Sequence, residues 1–140
     1  MALSVILYVE DEDSDVILLR YALRKANISN PLQVAADGEE ALAYLSGRGK
    51  YADREKYPLP CLVLLDLNLP RLGGMKVLEW IRGQGQLAEL PVVIYTSSNQ
   101  PKDLARAKAL RANDYIVKPA SIDKITEIMA SIKERWLQQA

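Results

Sequence analysis

Apolar and polar positions along this chain follow two alternating rhythms. Short apolar runs recur at 5–9, 32–36, 62–65, 92–95 and 115–117, each closed off by acids, prolines, glycines or other polar residues. Runs of this length predict strands, and the uninterrupted Leu62-Val63-Leu64-Leu65 predicts one buried on both faces. Between them apolar residues return every three or four positions, the period of a helix with one buried face. Leu19, Ala22, Leu23 and Ala26 mark such a face in a helix over 15–26. Asp37 and Glu40 form the spacing of a capping box for the next helix, whose inner face is Ala41, Leu42 and Leu45 and which Gly47 and Gly49 end. Val77, Leu78 and Ile81 define a third helix over 75–82. A fourth, over 102–111, is dominated by Ala105, Ala107 and Ala109, with Leu104 and Leu110 as its large anchors. Ser121 caps a final helix with Ile125, Ile128, Met129, Ile132 and Trp136 on one face.

Five strands alternating with five helices predict an α/β fold, a parallel sheet covered on both sides and joined by right-handed crossovers. The chain of 140 residues is long enough for one domain with a proper core and too short for two. Residues 48–60 interrupt the alternation with a polar stretch of little periodicity. So long a connection is either a tolerated surface insertion or a functional loop.

Composition narrows the function. Lys plus Arg (18) balance Asp plus Glu (18), so no global field recruits nucleic acid or an anionic membrane. No apolar run approaches the roughly 20 residues of a bilayer span, and the N-terminus lacks the flanks of a secretory signal. The single cysteine, Cys61, suits a cytoplasmic protein. Histidine is absent, which removes Ser-His and Cys-His catalysis and His-ligated metals.

Parallel strands send their carboxyl ends to one edge, the edge at which open α/β sheets bind ligands. Glu10 and Asp11 follow the first run, Asp66 the third, Thr96 the fourth and Lys118 the fifth. A carboxylate such as Asp66 at the end of so apolar a strand is a nucleophile, a metal ligand or a helix cap, and the acids near 10–15 also suit a helix start. Three carboxylates in one crevice repel unless a cation lies among them. All-oxygen ligation suits Mg²⁺, or its analogue Mn²⁺, bound together with a phosphate oxygen. Asp66 is then placed to accept a phosphoryl group, with Lys118 as its counter-charge and Thr96 as a hydroxyl donor.

Glu10-Asp11, Asp66-Leu67-Asn68-Leu69-Pro70 with Gly74, Thr96-Ser97, and Tyr115-Ile116-Val117-Lys118-Pro119 together resemble the response-regulator receiver domain of two-component signalling, the CheY-like module, over essentially the whole chain. The resemblance implies a doubly wound five-stranded sheet of order 2-1-3-4-5, a flavodoxin/CheY-like fold, in one receiver domain over 1–140 without an output domain. It implies phosphorylation of Asp66 by a sensor histidine kinase or a histidine phosphotransfer protein. Metal ligands would be Glu10, Asp11, Asp66 and the Asn68 carbonyl, while Thr96 and Lys118 would bind the phosphoryl group. Thr96 and Tyr115 would be the switch, Asn68 and Ser98 would tune phosphoryl lifetime, and Lys118-Pro119 would be a cis peptide. Glu10 stands where many receivers have Asp. Residues 48–60 and the 64–70 phrase look most like single-domain receivers paired with phytochrome-type kinases, several of which form homodimers through the fourth helix, fifth strand and fifth helix.

On this reading the chain is a phosphoacceptor rather than an enzyme, with at most slow Mg²⁺-dependent self-phosphorylation from small donors and slow self-hydrolysis. Its output, to a downstream protein, is a changed surface on the fourth helix, fifth strand and fifth helix. The Ala-rich helix over 102–111 is either a helix that shifts at low cost, because it buries few large side chains, or one whose small residues pack closely and stay in place. Two rival classes fit less well. A phosphatase with an aspartyl nucleophile needs a second Asp where Asn68 stands, and a flavodoxin-like cofactor site needs a phosphate loop where 10–13 are acids.

Overall fold

The computed structural model describes residues 4–137. Five strands, β1 (Ile6–Val9), β2 (Leu32–Ala35), β3 (Leu62–Leu65), β4 (Val92–Thr96) and β5 (Asp114–Val117), form one parallel sheet in the order β2-β1-β3-β4-β5. Five helices alternate with them: α1 (Asp13–Lys25), α2 (Gly38–Ser46), α3 (Gly74–Arg82), α4 (Pro101–Ala109) and α5 (Ile122–Trp136). This is the order and alternation implied by the sequence, with boundaries shifted by one or two residues. None of these helices is long and apolar enough to cross a membrane.

The two-residue period of a strand explains why β1 and β3 read as unbroken apolar runs. Ile6, Tyr8, Leu62 and Leu64 face a core shared with Leu19, Ala22 and Leu23 of α1 and Ile125, Met129 and Ile132 of α5. Leu7, Val9, Val63 and Leu65 face the opposite core, closed by Ala41 and Tyr44 of α2, Val77, Leu78 and Ile81 of α3 and Ala107 of α4. Helix α4 buries only that alanine fully, and Leu104 is 51% exposed. Trp136 packs half-buried against the α1–α5 core.

Residues 48–60 are ordered by specific contacts. A short 3-10 helix, Gly49–Ala52, brings Tyr51 against Tyr44, with ring centroids 5.0 Å apart. Tyr57 completes an aromatic trio, 5.0 Å from Tyr51 and 6.1 Å from Tyr44. The Arg54 guanidinium donates to the carbonyls of Tyr44 (2.8 Å), Leu45 (2.9 Å) and Tyr57 (3.0 Å). It thereby satisfies carbonyls in the last turn of α2 that have no partner within the helix. At the other end of α2 half of the expected capping box forms. The Asp37 carboxylate accepts from the Glu40 amide at 2.7 Å, while the Glu40 carboxylate accepts from the Tyr51 hydroxyl at 3.1 Å.

Parallel register then sets the working edge. Val9 lies level with Leu65, and Leu65 with Ile94. The next residues, Glu10 and Asp66, leave the sheet side by side, and the Asp66 amide still donates to the Val9 carbonyl at 3.2 Å. Thr96 pairs with Val117, and the Lys118 amide donates to the Thr96 carbonyl at 2.7 Å.

Candidate functional site

Glu10, Asp66, Thr96 and Lys118 converge at the carboxyl edge of β1, β3, β4 and β5. Asp66 is 3% exposed and each of its oxygens is engaged. Oδ1 accepts from the Thr96 hydroxyl at 2.7 Å and from the Asn68 amide at 3.0 Å, and Oδ2 accepts from Lys118 Nζ at 2.8 Å. A carboxylate so buried would be costly to charge without these donors. Burial pushes its pKa up, but the bonds from Lys118, the Asn68 amide and Thr96 outweigh it and hold Asp66 below the usual carboxylate range.

Glu10, beside it, is pushed the other way. Burial is the main cause, and with the neighbouring Asp66 it outweighs the bond from Lys118 and raises the carboxyl to about 7. The Tyr8 hydroxyl donates to Glu10 Oε1 at 3.1 Å from inside the sheet. Burial and the Glu10 charge raise that phenol far above its ordinary value, so it remains a donor at any working pH.

Lys118 Nζ is the centre of the charge arrangement. It donates to Glu10, to Asp66 and, at 2.8 Å, to Asp15 in the first turn of α1. Burial lowers the lysine pKa, but these three carboxylates outweigh it and raise the ammonium above its ordinary value. Sequence reasoning missed Asp15, because an acid in the first turn of a helix has a sufficient explanation in the macrodipole. Tyr8 was missed because a tyrosine within an apolar run reads as core.

Two glycines set how closely α2 and α3 approach the loop after β3. A Cβ on Gly74 would lie 2.0 Å from the Asp66 carbonyl oxygen and 2.8 Å from Leu67 Cα. Helix α3 therefore starts directly against the backbone that carries Asp66, and only glycine allows that approach. A Cβ on Gly38 would meet the Leu72 carbonyl oxygen at 2.4 Å, which brings the start of α2 equally close to the same loop.

The expected switch residues are joined by hydrogen bonds. The Ser98 amide donates to Thr96 Oγ1 at 3.4 Å, and the Tyr115 hydroxyl donates to the Ser98 carbonyl at 2.9 Å. The Ser98 hydroxyl donates to Asp103 Oδ2, in the first turn of α4, at 2.6 Å. It faces helix α4 rather than Asp66. The Asn68 side-chain amide donates to Ser97 Oγ at 3.3 Å.

One expectation needs correction. The Lys118-Pro119 bond is trans, as are all peptide bonds among the described residues. Trans is the intrinsically preferred form even before proline. Among the described residues no group of three or more acids is by itself arranged to hold a metal ion. Lys118 neutralises Glu10 and Asp66 in the resting arrangement, and Asp11 stands apart, exposed. The donor chemistry still fits a hard divalent cation. Glu10, Asp66, Asp11 and the Asn68 carbonyl supply oxygen only, at the rim of a buried carboxylate pair.

Comparison with known proteins agrees with this fold. Residues 6–130 match the family model for the response regulator receiver domain. Response regulator Rcp1 of Synechocystis sp. is 35% identical over 134 residues, spanning 96% of this chain and 89% of that protein. A crystal structure of the Mn(2+)-bound form of Rcp1 superposes with a TM-score of 0.85 at 34% identity, covering 98% of this chain and 96% of that one. The phosphorylated cyanobacterial phytochrome response regulator RcpA gives a TM-score of 0.89 at 36% identity, covering 99% and 97%. Response regulator RPA3017, in red light signaling of R. palustris, gives 0.92 at 38% identity, covering 99% and 96%.

Proposed function

The chain belongs to the response-regulator receiver family of two-component signalling, and from that premise we propose that Asp66 accepts a phosphoryl group from a sensor histidine kinase. The observation that carries this reading is Asp66 itself, buried yet held ionised by Lys118, Thr96 and the Asn68 amide. An Asp66 carboxylate oxygen attacks the phosphorus of a phosphohistidine. The O–P bond forms and the donor's N–P bond breaks, with the electron pair leaving on the imidazole nitrogen. Since the acceptor is already a carboxylate, no proton has to be removed from it first.

Lys118 follows the charge. Phosphorylation adds up to about two negative charges at the edge, and an ammonium already within bonding distance of Asp66 can turn to the new oxygens. The Thr96 hydroxyl supplies a further donor. Glu10, Asp11, Asp66 and the Asn68 carbonyl would hold Mg²⁺ or Mn²⁺, which when bound supplies the positive charge that lets anionic donor and acceptor approach. RcpA is named as a phytochrome response regulator and RPA3017 as acting in red light signaling, which supports a phytochrome-type kinase as the donor.

Transmission starts from the same atoms. A shift of Thr96 Oγ1 from Asp66 to a phosphoryl oxygen pulls on the Ser98 amide, and Ser98 is bonded both to Tyr115 and to the first turn of α4. Helix α4 is lightly anchored, and a cavity of about 290 Å³ lies between it and β5, lined by Leu104, Ala107, Ala112 and Tyr115 among others. That combination supports movement of α4 as the output. Pairing of two copies through α4, β5 and α5 is the finer form of the proposal, read by size-exclusion before and after activation.

The test is incubation with Mg²⁺ and acetyl phosphate, followed by intact mass. One phosphoryl group is expected on the wild type and none on Asp66→Asn, while Lys118→Ala should keep some labelling but lose the conformational response to beryllofluoride. A wild-type chain that stays unmodified at position 66 overturns the reading.

A further inference from the structure

The Lys118 ammonium has three N–H bonds, and each ends on a different carboxylate: Glu10, Asp66 and Asp15. No donor is left over for a phosphoryl oxygen. The three acceptors differ in what would happen if the ammonium left them. The Glu10 side chain is fully buried, and an abandoned charge there would have little solvent to replace the lysine. Asp66 is the residue that would carry the phosphoryl group. The Asp15 side chain is 31% exposed, so water can take over its vacated oxygen.

We propose that Asp15 is a positioning residue that holds Lys118 in the resting protein and competes with the phosphoryl group for it. Its contact is the one surrendered on activation, and it thereby sets how tightly the activated state is held. The inference rests on the reading of Asp66 as phosphoryl acceptor. It adds to that reading a carboxylate contributed by α1, a helix that supplies no other contact to the ammonium among the described residues. An ammonium bonded to two carboxylates instead of three has one N–H free for the incoming oxygens, and one negative charge fewer lies beside them.

The test uses beryllofluoride with Mg²⁺ as the phosphoryl mimic, with affinity read from ligand-dependent thermal stabilisation of the full chain. Asp15→Asn is expected to bind the mimic about three- to fivefold more tightly than wild type, the scale of a partly exposed ion pair. Asp15→Ser, in case the amide variant folds poorly, should show the same gain. Asp13→Asn, which removes an acid from the same helical turn without a Lys118 contact, should change the affinity by less than about twofold. A purely structural role for Asp15 would weaken mimic binding rather than tighten it. Unchanged or weaker binding in both Asp15 variants overturns the proposal, and so does an equal gain in Asp13→Asn, which would make it a matter of general charge. If instead the wild type neither binds beryllofluoride nor gains mass from acetyl phosphate, the acceptor reading fails and not merely the role of Asp15.

Discussion

Gly74→Ala separates packing from chemistry in one substitution. The added Cβ would lie 2.0 Å from the Asp66 carbonyl oxygen, where real Cβ atoms essentially never approach within 3.0 Å. The start of α3 and the Asp66 backbone must therefore part by about 1 Å. Neither neighbour is a flexible side chain: the contacts are Asp66 O, Asp66 C and Leu67 Cα. Overpacking of this kind costs about 1–3 kcal/mol, or roughly 3–10 °C in melting temperature for a domain of this size. The larger effect should be on labelling. Misplacing a reacting group by about 1 Å can cost on the order of a hundredfold in rate, and here the displaced backbone carries the acceptor. Gly73→Ala is the matched control, since its Cβ would sit 3.7 Å from the Leu67 carbonyl oxygen, an ordinary contact. It should lose no more than about 1 kcal/mol, as a helix N-cap position. Urea denaturation gives the first quantity, and the initial rate of mass gain from acetyl phosphate gives the second. A Gly74→Ala protein as stable as Gly73→Ala and phosphorylated at the wild-type rate would refute the claim that close approach of α3 positions Asp66.

Further outcomes follow from residues 48–60 and from the switch. Arg54→Ala should destabilise by about 1–3 kcal/mol, because three carbonyls lose a charged donor, and Arg54→Lys should restore little of it since an ammonium cannot span all three; urea midpoints check both. Burial raises the pKa values of Tyr44 and Tyr51 above the ordinary 10.0. For an acid shifted upward in the folded state, the stabilisation is complete below pH 10 and is lost as pH climbs through the higher folded values. An absorbance titration should therefore show these tyrosinates forming above pH 10 together with unfolding, and Tyr51→Phe should lower the amplitude; ionisation near pH 10 without loss of structure would count against the packed trio. Ser98→Ala removes the hydroxyl bond to Asp103 while keeping the backbone bonds to Thr96 and Tyr115. It should leave acetyl phosphate labelling within about twofold, consistent with the loss of one hydrogen bond away from Asp66. Amide exchange in the first turn of α4 should accelerate.

Much of this protein can be read from its sequence because the deciding signals are local. A short apolar run of four or five residues rich in Val, Ile and Leu and flanked by turn formers reads as a strand, and a three-to-four spacing reads as a helix face. Once five strands alternate with five helices, parallel connection sends Glu10, Asp66, Thr96 and Lys118 to a common edge, so the candidate site follows from topology before any coordinate is known. The tertiary structure alone decided which partner each charge takes. Asp15 in α1 reaches Lys118 across 103 residues of sequence, Tyr8 donates to Glu10 from within the sheet, and Arg54 closes the end of α2 from a stretch without periodicity. An acid in the first turn of a helix, a tyrosine in a strand or an arginine in a loop reads alike whether it meets solvent or a buried partner. Which of these it meets depends on how each helix is rotated against the sheet, a quantity that emerges only when both cores are packed at once.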